Sequence, residues 1–181
     1  MTLYLALLTM TLATSQTLKL EVSHTVEEYL SQLGLTPEEF IIVVSDEMSR
    51  GAQVLYERDP SGHDTVTFFF NLKLLQKLSR AERRVLIGHE VGHLVPECQR
   101  LWERIYRELC ADEASLKLVP VEEVSAMLSK SIRMFPYYPA RQEFVLRLAM
   151  IEETRRVKRE QEHTVTPSKA ASARKDWMDC A

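Results

Sequence analysis

The chain has 181 residues, enough for one domain with a proper core and too few to be read as two. Hydrophobic residues make up 45% and charged residues 27%, the balance of an ordinary soluble globular protein, so disordered and fibrous classes are excluded. A formal net charge of −3 and the lack of any glycine-rich phosphate-cradling run disfavour nucleic-acid and nucleotide binding.

Leu3 to Leu12 is apolar, and Ala13-Thr14-Ser15 resembles a small-residue cleavage site. No Lys or Arg precedes that run, and it is too short to span a bilayer as a helix. Residues 1–15 are therefore expected to be a buried first element, with a cleaved signal peptide as the alternative. His24 to Leu33 reads as a helix with Thr25 as N-cap, Glu28 completing a capping box and Gly34 at C′. After Thr36-Pro37, the β-branched block Phe40 to Val44 predicts a buried strand. Gln53 to Glu57 and Thr65 to Phe70 predict two more, joined through the turn formers of 59–64 as an antiparallel hairpin.

Asn71 can cap a short Leu-rich helix to Leu78, and Ser79 with Glu82 forms a capping box that opens the next helix. Pro96 ends that helix. A second long helix is expected over 98–118, a third over 121–134 and a fourth over 140–158, after the Pro- and Tyr-rich turn 135–139. From His163 the chain is Thr-, Ser-, Ala- and Lys-rich without periodicity, which reads as a solvated basic tail over 163–181. The cysteines Cys98, Cys110 and Cys180 are odd in number and have no CxxC spacing, so they read as packed or free thiols.

The fold class expected is α+β. A small antiparallel sheet packs on the helix of 80–93, and a C-terminal helical subdomain faces it across a cleft, all within one domain at 16–162.

The chemistry-bearing stretch is His89-Glu90-Val91-Gly92-His93. On a helix, residues i and i+4 return to within about 40° of each other, so both imidazoles leave one face and can hold one ion. Glu90 lies beside that face, where its carboxylate can serve as general base: the HExxH pattern of zinc peptidases. A catalytic zinc takes three protein ligands and leaves a position for water. Glu108 and Asp112 are also i and i+4 on the following helix, which assigns the third ligand to Glu108. Asp112 then accepts the second N–H of a ligating histidine. Glu97, Glu103, Asp112, Glu113 and His163 compete as ligands, Glu103 being the alternative if the intervening turn is tight.

With these residues in place the chain resembles a gluzincin, and more narrowly the HtpX-like and CAAX-prenyl-protease-type family. The stretches that carry the resemblance are VTFFFNLKLLQKLSRAERRVLIGHEVGHLV and ELCADEASLKL, covering about Thr65 to Leu118. The resemblance implies a zincin-like fold, Zn2+ held by His89, His93 and Glu108, and Glu90 as general base and then acid. It also implies a substrate-pairing strand at Val66, Phe68 and Phe70. That family carries a His-Pro element and an Arg near its last helix. Here Tyr138-Pro139 and Phe144 stand at those places, and Tyr138 is a candidate donor to a developing oxyanion. ELCADEASLKLVP is similar also to the ImmA/IrrE-like metallopeptidases, which act on repressors.

The function expected is thus zinc-dependent hydrolysis of protein or peptide substrates. A repressor-directed regulatory peptidase and a metal-binding module without turnover are the alternatives. The expected address is cytoplasmic, or secreted or periplasmic if residues 1–15 are a signal peptide, with no transmembrane segment.

Overall fold

The computed structural model describes residues 2–37, 39–49, 51–135, 137 and 139–165, with side chains described between 15 and 161. In chain order the elements are α1 (Thr2–Gln32), β1 (Glu39–Ser45), β2 (Ala52–Arg58), β3 (Asp64–Asn71), α2 (Leu72–Lys77), α3 (Arg80–Gly92), α4 (Pro96–Gln99), α5 (Arg104–Ser115), α6 (Val121–Met134) and α7 (Ala140–Val165). This is a mixed α+β fold, mostly helical, with one small sheet.

α1 is one uninterrupted helix, because neither Gly nor Pro occurs between Thr2 and Gln32. Thr25 is therefore not an N-cap. Its Oγ1 donates back to the Glu21 carbonyl at 2.8 Å, as mid-helix threonines do. The expected stop does hold. Gly34 has φ 66°, its N–H donates to the Ser31 carbonyl, and the Leu35 N–H donates to the Leu30 carbonyl. That bond pair leaves C′ in the left-handed region, which glycine enters without a Cβ penalty. Leu18, Val22, Val26, Tyr29 and Leu30 form the buried stripe of α1. Arg83 of α3 ties to it through two 3.0 Å bonds to Glu21, and the Arg84 guanidinium lies 5.0 Å above the Tyr29 ring.

The sheet has the order β1-β3-β2. β2 and β3 form the expected antiparallel hairpin, with Val54 opposite Phe68. β1 pairs with β3 in parallel, Phe40 opposite Val66, so the all-antiparallel expectation is corrected. The reason is topological. The short connection 46–51 reverses the chain between β1 and β2, and β3 then inserts between them. The connection is pinned across the end of β3 by Asn71, whose Nδ2 donates to the Met48 carbonyl at 2.6 Å and whose N–H donates to the Gly51 carbonyl at 2.9 Å. A central β3 has no free backbone edge, and Val66, Phe68 and Phe70 are buried in the core. The substrate-pairing strand expected there is corrected on both grounds.

The helix expected over 98–118 is broken. Pro96 opens the single turn of α4, a non-helical segment follows, and α5 starts only at Arg104. A continuous helix would hold residues 98 and 110 about 18 Å apart along its axis. Instead their Cα atoms lie 5.4 Å apart and the side chains form a Cys98–Cys110 disulfide. The reading of these two as free thiols is thereby overturned: sequence spacing does not reveal that the break folds α4 back on α5. At the other end α7 continues to Val165, past the expected tail start at His163, and residues 166–181 lie outside the described residues.

The bridge is checked by thiol counting. Unfolded, unreduced protein should titrate two fewer thiols than unfolded protein after reduction and gel filtration; equal counts would remove the bridge.

Candidate metal centre

α3 begins with the cap foreseen from the sequence. Ser79 Oγ accepts from the Glu82 N–H, and Glu82 Oε2 accepts from the Ser79 N–H at 2.7 Å. Lys130 of α6 holds the other Glu82 oxygen at 2.7 Å, fixing the start of α3 against the helical layer. From Ile87 to Gly92 every residue of α3 is buried, because the sheet, α1, α5 and α6 surround this part of the helix.

Gly92 lets α5 approach. A Cβ built there would sit 2.5 Å from the Ala111 carbonyl oxygen and 3.0 Å from its Cα. Only a residue without a side chain admits that crossing, and it sets Glu108 and Asp112 beside the motif imidazoles. His89 Nε2 lies 3.1 Å from Glu108 Oε2, and His93 Nε2 lies 3.8 Å from Glu108 Oε1. One ligand-type atom from each of His89, His93 and Glu108 falls within 4.8 Å of the others, so the group can hold a metal ion. These are the three ligands expected. Two imidazole nitrogens and a carboxylate oxygen are a donor set that suits zinc. Among the described residues no competing ligand joins them. Glu103 sits exposed at the N-cap position of α5, and the His163 side chain is outside the described set.

Asp112 also stands where expected. Its Oδ1 is 2.8 Å from His89 Nδ1, which orients the ring so that Nε2 faces Glu108. What sequence reasoning missed is Arg147. Its Nε and Nη2 donate to the two Asp112 oxygens at 2.6 and 2.7 Å, and its Nη1 donates to Glu108 Oε2 at 3.1 Å. A signal was present. Phe144, Arg147, Leu148 and Ile151 recur at i, i+3, i+4 and i+7, so Arg147 lies on the core-facing stripe of α7. A guanidinium on that stripe needs carboxylate partners, and the ExxxD pair supplies them.

The electrostatics follow from this packing. Burial and the Arg147 charge push His89 down, but Asp112 and Glu108 more than offset them, holding the imidazole up at about 9. Burial acts to raise Glu108, and the His89 bond with the nearby cations outweighs it, lowering the carboxyl to about 2. Asp112 is pushed down against its own burial by His89 and Arg147. Burial, followed by the neighbouring His89, lowers His93 to about 4, leaving a neutral ring with a free lone pair. Glu90 is 6% exposed, and burial raises it to about 7. A carboxyl near neutrality is poised both to take and to return a proton.

A cleft of about 1100 Å³ opens over the group, lined by His89, Glu90, His93, Glu108, strand β2 and the facing sides of α6 and α7. Tyr138, the candidate oxyanion donor, lies outside the described residues.

Two substitutions test the packing. Arg147→Ala leaves the buried Asp112 and the half-buried Glu108 without the guanidinium and should lower stability by about 3–5 kcal/mol. Arg156→Ala, which removes an exposed ion pair on the same helix, should leave stability essentially unchanged because solvent screens that pair. Urea unfolding of both checks the contrast. Gly92→Ala must separate α3 from α5 and should cost about 1–3 kcal/mol, read from the same curves.

Comparison with protein-family models, curated proteins and solved structures finds no match for this chain, so the functional reading rests on the geometry of the site.

Proposed function

We propose that the chain is a zinc-dependent metallopeptidase of gluzincin type. One observation carries this reading: three ligand atoms of His89, His93 and Glu108 converge within 4.8 Å beside a buried Glu90, at the floor of an open cleft. The HtpX-like resemblance of the two stretches around these residues supports the same class.

Zinc held by His89, His93 and Glu108 would supply Lewis-acid polarisation of a carbonyl and a water of lowered pKa. The protein's own groups do the rest. The Glu90 carboxylate, raised toward neutrality by burial, accepts the proton of the attacking water and returns it to the leaving amine nitrogen. Asp112 holds His89 in one tautomer, and Arg147 holds Asp112 and Glu108 in place, which keeps the ligand set preformed. β2, an edge of the sheet that lines the cleft, takes over the role first read at β3: it offers free backbone groups to an extended peptide. The disulfide favours an oxidising compartment over the cytoplasmic address expected from sequence. No helix of the described residues is long and apolar enough to cross a membrane.

The test combines metal analysis with proteolysis of an unfolded protein substrate. Wild type should bind one zinc and cleave, and His93→Ala should lose both. Glu90→Gln should keep the zinc while kcat/KM falls about 100-fold or more. A wild type without zinc, or a Glu90→Gln variant as active as wild type, would falsify the reading.

A further inference from the structure

Among the described residues, the cations that line the cleft are the guanidinium groups of Arg104, Arg107 and Arg147. Two of them are committed. Arg147 donates to Asp112 at 2.6 Å and to Glu108 at 3.1 Å, and Arg104 pairs with Glu143 at 3.1 Å. Arg107 is different. It is exposed, and among the described residues no carboxylate stands within ion-pair distance of it. Glu103, one turn earlier, offers an i, i+4 partner that Arg107 does not take.

The helix and the bridge fix where this charge sits. Successive residues of a helix diverge by about 100°, so Arg107 leaves α5 to one side of Glu108 while both line the cleft. Arg107 and Cys110 are i and i+3 and share a face of α5, which the Cys98–Cys110 bridge holds against α4. Gln99 of α4, next to Cys98, lines the cleft there as well. The guanidinium thus flanks the ligand group at the α4 end, beside the reacting atoms and not among them.

The anions of the cleft complete the contrast. Glu108, Asp112 and Glu143 are tied to arginines, and Glu90 is buried. A cationic substrate group reaching this end meets Arg107 and finds no open carboxylate. An anionic one finds an unpaired guanidinium, whose planar fork takes a carboxylate through two parallel hydrogen bonds. A peptide lying in the cleft displaces water around such a pair and strengthens it.

We propose that Arg107 is a specificity residue that binds a carboxylate of the peptide substrate near the scissile bond. This rests on the metallopeptidase reading above. The carboxylate has two sources, an Asp or Glu side chain or the C-terminus of the peptide, and the experiment separates them.

Zinc-loaded wild type is profiled on a mixed peptide library, and kinetics follow on two matched pairs of peptides. The first pair carries Glu or Gln at the preferred position and has an amidated C-terminus. The second contains no acidic residue and has a free or an amidated C-terminus. In at least one pair, kcat/KM should be at least about threefold higher for the carboxylate form, the scale of a partly exposed ion pair. That ratio should shrink as salt rises from about 50 to about 500 mM. Arg107→Ala should bring it close to one through KM, Arg107→Lys should keep part of it, and Arg107→Glu should invert it. Binding of the same peptides to zinc-loaded Glu90→Gln, read by calorimetry, should follow the same order. Equal rates within both pairs, or a ratio that Arg107→Ala leaves unchanged, overturn the assignment and leave the peptidase reading standing. Zinc-loaded wild type that cleaves no peptide overturns both.

Discussion

A charge taken out of water must meet an opposite charge, and four groups meet that demand together in this protein. His89, Glu108, Asp112 and Arg147 pack with polar contacts of 2.6–3.1 Å in a place where water is largely excluded. No one of them is tolerable there alone. Two carboxylates need the guanidinium, the guanidinium needs both carboxylates, and the imidazole is oriented by one and faced by the other. The surrounding helices are arranged so that each delivers its member of the set: α3 the imidazole, α5 the carboxylates and α7 the cation.

Two local devices make that delivery possible. Gly92 removes the only atom that would keep α5 from crossing α3 closely. The break before Arg104, closed by the Cys98–Cys110 bridge, folds the chain back within a few residues of the motif, so the third ligand comes from close in sequence. The sheet plays a quieter part. Its central strand seals the core beneath α3, and β2 is left as a wall of the cleft.

Much of this was legible before any coordinates. The spacing of His89, His93, Glu108 and Asp112 encodes helical faces directly, because i and i+4 share a face whatever the tertiary context. The caps at Asn71 and Ser79 and the stop at Gly34 are equally local, and each holds. What was not legible depends on distant partners. Strand order depends on which edge of β3 each neighbour takes, so a parallel β1 and a buried β3 were missed. The cysteine bridge depends on a chain reversal that Pro96 permits without specifying. Arg147 was one turn beyond Phe144, on a stripe that pattern reading counts as apolar, and its partners lie 35 and 39 residues away. The start of α1 was misjudged because a capping pattern at Thr25 also occurs inside a helix that nothing interrupts.

The separation of Arg147 from its partners bears on how the molecule assembles. His89, His93, Glu108 and Asp112 all lie within one stretch of chain, crossed by the bridge, whereas Arg147 arrives only after the whole of α6. Short loops close at lower entropic cost than long ones, so bringing α7 onto α3 and α5 costs more chain entropy than bringing α5 onto α3. Without that arginine, the Glu108 and Asp112 carboxylates would have only His89 to balance them. The arginine then completes the charge balance of a group that stays open to the cleft above it.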